Sequence, residues 1–238
     1  MNKATVNDWN ENVYSHGEII KLDDRLWYVT GSVPSGNVPR NMVIYKLSSG
    51  GLLIHSAVAL KGESMQQIEA LGSLEYMIVP NKYHRLDAQL YKQRYPNIKV
   101  ICPAAIRSNA EKKVSVDNTV GEVADKIGIE YHVAAGFRPG DLVYKLDVTG
   151  GKALVFCDLV FNMEHFGGLD GWLLKLLGST GFFGSSWIAR LQMKDKGAIK
   201  SLLLNLSDTK DLRMILVSHG KPILENCNEK LKQAASLL

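Results

Sequence analysis

The chain has 238 residues, 46% of them hydrophobic and 22% charged, with a formal net charge of +4. That is a globular composition with enough length for a substantial buried core. The positive residues are scattered without any run of lysines or arginines, so neither nucleic-acid binding nor binding to an anionic membrane is indicated.

There are three cysteines, Cys102, Cys157 and Cys227, too far apart for a CxxC pair. Two lie in apolar runs, which fits buried free thiols in a reducing compartment. The opening MNKATVNDWNENVYS has no apolar stretch of the kind a signal peptide carries. The most apolar long segment, GWLLKLLGSTGFFGSSWIA, is interrupted by Lys175, glycines and serines and does not read as a membrane span. A soluble, cytoplasmic protein is the expectation.

In chain order, EIIKLDDRLWYVT reads as two short strands around an Asp-Asp turn. NMVIYKL and LLIHSAV flank Ser48-Ser49-Gly50-Gly51 and predict a hairpin. GESMQQIEALGS places Met65, Ile68 and Leu71 at helical spacing and stops at Gly72. LEYMIVP is a buried strand. A helix is expected from His84 to Tyr95 with Leu86 and Leu90 inward, and NIKVIC is the next strand. In the second half, IEYHVA and GDLVYKLDV are strands, and VTGGKALVFCD closes a hairpin through Gly150-Gly151. Residues 161–193 form a long glycine-rich apolar connection. KDKGAIKSLLLNLSD predicts a helix capped by Asp195. LRMILVSHG is a strand, and ILENCNEKLKQAASLL is a final helix with Leu224, Cys227, Leu231 and Leu238 on one stripe. Each half is hairpin strands followed by alternating strand and helix. Two mixed sheets packed together with outer helices follow, a four-layer αββα sandwich, read as a single domain over 1–238.

Three polar residues stand at the ends of apolar strands: His84 after LEYMIVPNKY, Asp158 after KALVFC, and His219 after LRMILVS. Strands lying side by side would bring these ends to one edge. Two histidines and a carboxylate suit a divalent transition metal with open positions for water or substrate. Taken singly, each is more commonly a solvated histidine, a capping aspartate or a turn. The co-occurrence, in this order, is what points to a metal site.

That order resembles the metallo-β-lactamase superfamily over nearly the whole chain. NMVIYKLSSGGLLIHSAV is similar to its opening hairpin, with Ile54-His55-Ser56-Ala57 at the usual Ile-Asp-Thr-Gly turn. LEYMIVPNKYH resembles the strand entering the His-x-His-x-Asp-His corner, and AAGFRPGDLVY the segment after it. GGKALVFCDLVF and ILVSHGKPI are similar to the strands that carry the metal-bridging Asp and the last His-Gly. The likeness is greatest to a lactamase-like branch in which a Pro-Asn loop with a later histidine replaces the corner.

The resemblance also implies a reduced site. With His84 as the corner's final histidine, Val79 and Asn81 fall on its first two histidines and Tyr83 on its aspartate, while Phe137 falls on the next one. Valine and phenylalanine cannot ligate, so the first metal position is lost. The second retains His84, Asp158 and His219. A shift of two residues in the loop would leave only Asp158 and His219 securely placed. The implied protein is hydrolase-like, binding one Zn²⁺ or Fe²⁺ through these three, with Asp158 and His84 catalytic and a small-molecule substrate. Asn81, Lys82 and Arg85 are candidates to bind an anionic substrate, against the ordinary reading of a solvated loop. The alternative is a non-catalytic scaffold or binding protein that has kept the fold and lost the metal. Residues 166–191 read as a lid, an apolar substrate wall or a homodimer contact.

Overall fold

A computed structural model describes residues 6–34, 38–138, 140–165 and 167–238. The chain divides into two compact units. The first takes residues 6–34 and 40–128, and the second takes residues 129–238 with Val38 and Pro39.

The first unit opens with α1 (Val6–Glu11), followed by the β1 (Ile20–Asp23) and β2 (Leu26–Gly31) hairpin that the Asp-Asp turn predicted. β3 (Arg40–Lys46) and β4 (Leu52–His55) form the expected antiparallel hairpin. α2 (Gly62–Leu71) then crosses to β5 (Leu74–Ile78), and α3 (Ala88–Arg94) crosses to β6 (Lys99–Cys102). A 3-10 turn (Ala104–Ile106), α4 (Arg107–Ala110), β7 (Asn118–Thr119) and α5 (Val120–Ile127) complete it. The sheet runs β1-β2-β3-β4-β5-β6-β7. Its first pairings are antiparallel, and those from β4 through β7 are parallel because each crossover carries a helix. β3 and β4 are almost wholly buried, as runs covered on both faces must be.

Met65 and Ile68 of α2 are buried as the spacing predicted, and Leu71 packs at the edge of the same core. The helix stops at Gly72, where a Cβ would stand 2.6 Å from the Gly50 carbonyl oxygen. Two expectations need correction. The helix expected from His84 begins only at Ala88, and Leu86 is 46% exposed while Tyr91 is fully buried. The cause lies upstream, where the Asn81 and Asp87 side chains bind the loop's own backbone and neighbouring strands and hold it non-helical. α5 is an element the sequence reading left out, although its capping box was present. Glu122 accepts from the Thr119 amide at 2.5 Å and from its hydroxyl at 3.0 Å, and Gly128 closes the helix in the left-handed region.

The second unit contains β8 (Glu130–Val133), β9 (Leu142–Val148), β10 (Gly151–Phe156) and β11 (Leu212–Val217), with sheet order β11-β10-β9-β8. β8 to β10 are antiparallel neighbours, and β10 and β11 are parallel, so this sheet is also mixed. The long connection holds two helices, α6 (Gly168–Leu176) and α7 (Trp187–Leu191). α8 (Lys196–Ser207) starts where Asp195 predicted, its carboxylate accepting from the Ala198 amide at 2.8 Å. α9 (Cys227–Ser236) buries Cys227, Leu231, Ala234 and Ala235. Leu224, expected on that stripe, precedes the helix and is 54% exposed. All three cysteines are buried thiols outside any disulfide. Among the described residues, no helix is long and apolar enough to cross a membrane.

Candidate metal centre

Asp158 and His219 meet because of strand register. β10 and β11 are parallel and pair Phe156 with Val217. Each candidate lies two residues beyond its strand's last paired residue, 156 to 158 and 217 to 219, so both side chains leave the same edge. His219 Nε2 stands 3.2 Å from Asp158 Oδ1, with both side chains largely buried.

His219 is held on three sides. Its Nδ1 lies 2.7 Å from the Pro39 carbonyl oxygen. Its ring stacks on Phe161 at 5.4 Å between centroids and 21° between planes. Its carbonyl accepts from the Asn162 amide at 3.0 Å. The glycine after it is obligatory: Gly220 has φ +111, and a Cβ there would stand 2.0 Å from the Asn162 carbonyl oxygen. Because a carbonyl only accepts, the Nδ1 position carries a proton and donates. Nε2 then faces a carboxylate, and two acceptors repel at that distance. A proton shared between Nε2 and Asp158, or a cation between them, would relieve that contact.

Asp158 is oriented by a residue the sequence reading did not single out. Continuing the β9–β10 pairing of Tyr144 with Val155 by three residues on each strand sets Asp141 opposite Asp158. The buried Asp141 accepts the Asp158 amide on Oδ2 at 2.7 Å. The signal was present in GDLVY, an acidic residue directly ahead of a strand, but its partner is visible only through the register. Cys157, next to Asp158, remains a thiol. Burial pushes it far above the ordinary range, and the Asp158 and Asp141 charges push the same way.

His84 belongs to the first unit, in the loop after β5. The turn is built by Asn81, whose Oδ1 accepts from the Tyr83 amide at 2.8 Å and the His84 amide at 3.2 Å. His84 Nδ1 lies 2.8 Å from Ser56 Oγ, which orients the ring. Ser56 occupies the turn after β4 with φ 60. The loop is closed by Asp87, which takes Arg40 Nη2 at 2.6 Å and the Ala59 amide at 2.8 Å, all buried.

The other candidates fall as follows. Val79 is buried in the first unit's core, and Phe137 in the second unit's, so both are packing residues. Tyr83 is 56% exposed under the Lys82 ammonium, which lies 4.8 Å from its ring centroid. Asn81 is fully buried and Arg85 donates to the Asn109 carbonyl, so two of the three anion-binding candidates have structural partners. His165 is bound to Thr180 Oγ1 at 2.8 Å, and His55 is buried. Among the sequence candidates, Asp158 and His219 come together in the second unit, and His84 stands in the first.

No protein-family model matches the sequence, and no curated protein matches it. Solved structures do. The metallo-β-lactamase FIM-1 from Pseudomonas aeruginosa in its mono-zinc form is similar at 13% identity, over 95% of this chain and 97% of that one, with a TM-score of 0.64. A metallo-β-lactamase from Erythrobacter litoralis with β-mercaptoethanol in the active site matches at 15% identity over 95% and 100%, with a TM-score of 0.64. One from Hirschia baltica matches at 12% over 92% and 97%, with a TM-score of 0.58. The fold is therefore the four-layer αββα sandwich of the metallo-β-lactamases, with two mixed sheets and helices.

Proposed function

We propose that this chain is a hydrolase-like protein of the metallo-β-lactamase fold whose site is reduced to one divalent ion, zinc or ferrous iron, held by His84, Asp158 and His219. The observation that carries the reading is the setting of His219, between the Pro39 carbonyl and the Asp158 carboxylate. A ring whose Nδ1 donates to Pro39 while Nε2 faces the Asp158 carboxylate is arranged as a metal-ligating histidine with its other nitrogen bonded to the backbone. The donor chemistry fits, since two imidazoles and one carboxylate suit zinc or iron. That FIM-1 has been solved with one zinc supports a mononuclear arrangement on this fold.

When bound, the ion supplies a Lewis acid for a carbonyl or phosphoryl oxygen and for the attacking water. The chain's own residues do the rest. Asp158, the single carboxylate of the set, accepts the proton released by water, and Asp141 fixes its orientation through the backbone. His84, braced by Ser56, orients the reacting centre. Lys82 is the cation proposed to meet an anionic small-molecule substrate. Asn81 and Arg85 contribute by shaping the loop.

One observation favours a second reading, a non-catalytic scaffold. An imidazolium at His219 would pair with Asp158 without any metal. Metal analysis separates the two. Protein purified without an affinity tag, stripped with chelator and reloaded with Zn²⁺ or Fe²⁺ should retain one ion per chain, and His219→Ala should lose it. Substoichiometric retention after reloading that His219→Ala leaves unchanged overturns the metal reading and leaves the scaffold.

A further inference from the structure

The proposed centre leaves one contact of His219 unused, its stack on Phe161. Both rings belong to the second unit, with planes 21° apart and 5.4 Å between centroids. The contact is built by the backbone around the phenylalanine. Phe161 forms an antiparallel bridge with Gly184: its amide donates to the Gly184 carbonyl at 2.9 Å, and its carbonyl accepts from the Gly184 amide at 3.1 Å. One residue on, the Asn162 amide donates to the His219 carbonyl at 3.0 Å, and the Asn162 carbonyl accepts from the Lys221 amide at 3.0 Å. The Asn162 side chain donates to the Lys221 carbonyl at 2.7 Å. The backbone of Phe161 is thus pinned to the 219–221 turn on one side and to Gly184 on the other.

The Phe161 side chain takes no part in these bonds, so its place is set whatever the side chain is, and its chemistry is what remains to be explained. Phe161 is partly buried against the second unit's core, a role that a leucine would also fill. A leucine would not supply an aromatic face. That face carries the negative side of the ring quadrupole and attracts electron-poor groups. An imidazole becomes electron-poor when one of its nitrogens gives a lone pair to a divalent ion. His219 is then held by an acceptor at its edge, the Pro39 carbonyl, and by an aromatic ring across its face.

We propose that Phe161 is a positioning residue whose aromatic face favours the metal-loaded form of His219. The inference rests on the metal reading above. The test is Zn²⁺ affinity, measured by competition with a chromophoric chelator, on the stripped full chain and on Phe161→Leu, Phe161→Tyr and Phe161→Trp, with circular dichroism checking each fold. Phe161→Leu should bind zinc ~3–10-fold more weakly, the strength of one aromatic pair, while Phe161→Tyr or Phe161→Trp stays within about two-fold of the parent. Metal-free Phe161→Leu should melt close to the metal-free parent, and its midpoint should rise less when zinc is added. A residue that served packing alone would lower the metal-free midpoint and leave the zinc-induced rise unchanged. In nuclear magnetic resonance spectra of the metal-free chain, the ring current of Phe161 should shift the His219 ring protons upfield, and Phe161→Leu should abolish that shift. Zinc affinity of Phe161→Leu equal to that of a zinc-binding parent overturns the inference and leaves the metal reading standing. So does equal weakening in all three variants, which would assign the side chain to packing. A parent that retains no zinc overturns the metal reading itself, and the inference falls with it.

Discussion

Replacing Asp87 by Asn tests what holds the His84 loop in place. Asp87 is 1% exposed, and its Oδ2 takes both Arg40 Nη2 at 2.6 Å and the Ala59 amide at 2.8 Å. Arg40, 6% exposed, also donates to the carbonyls of Ser32 and Ala57. The carboxamide has nearly the carboxylate's shape and still offers an oxygen to Ala59. The change therefore isolates the charge and leaves a buried guanidinium uncompensated, at a cost of ~3–5 kcal/mol. Asp87→Ala also orphans the Ala59 amide and should lose a further ~1–3 kcal/mol. A domain of this kind holds ~5–15 kcal/mol in total, so Asp87→Ala approaches the limit of folding at ambient temperature. Removing both charges in Arg40→Met/Asp87→Leu should recover most of the loss, because apolar groups carry no uncompensated charge. Urea unfolding followed by tryptophan fluorescence and circular dichroism reads the midpoint, with the slope checked for constancy. A midpoint for Asp87→Asn within ~1 kcal/mol of the parent, at equal slope, would refute the argument that this pair is buried and mutually dependent.

Two further outcomes are expected. Asp141→Ala removes the acceptor for the Asp158 amide, so metal affinity measured by competition with a chromophoric chelator should fall ~10–100-fold while the chain remains folded; unchanged affinity would show that Asp158 orients itself. Glu130→Gln should destabilise the β8–β9 pairing only at neutral pH. Lys145 donates to Glu130 at 2.5 Å and holds its carboxyl below the ordinary range. A depressed carboxylate stabilises the fold above the unfolded value of ~4.3 and loses that contribution as pH falls through the lower folded value. Glu130 is half exposed, so the effect should stay under ~1 kcal/mol. Parent and variant thermal midpoints should converge in acid, and a constant gap at all pH values would contradict this.

Much of the architecture was legible in the residues because local rules and global fold agree. Paired apolar runs around Ser-Gly and Gly-Gly turns can do little except form hairpins, and both did. Asp195 capped its helix because a carboxylate ahead of a helical stripe satisfies amides that nothing else reaches. α5 was equally readable from Thr119, Glu122 and Gly128. Leu86 and Leu224 failed as core residues because the loop and chain ahead of their helices are set by partners distant in sequence, which helical spacing ignores.

For the candidate site, the sequence by itself determined where three possible donors stand, a histidine, an aspartate and a histidine just past three apolar strands. Only the tertiary structure decided what each atom of them does. The Pro39 carbonyl sets the proton on His219 from across 180 positions of chain, and Asp141 reaches Asp158 through a strand register. Residue type fixes what an atom can donate or accept. Which partner it meets depends on neighbours brought together by folding, and local periodicity holds no record of them.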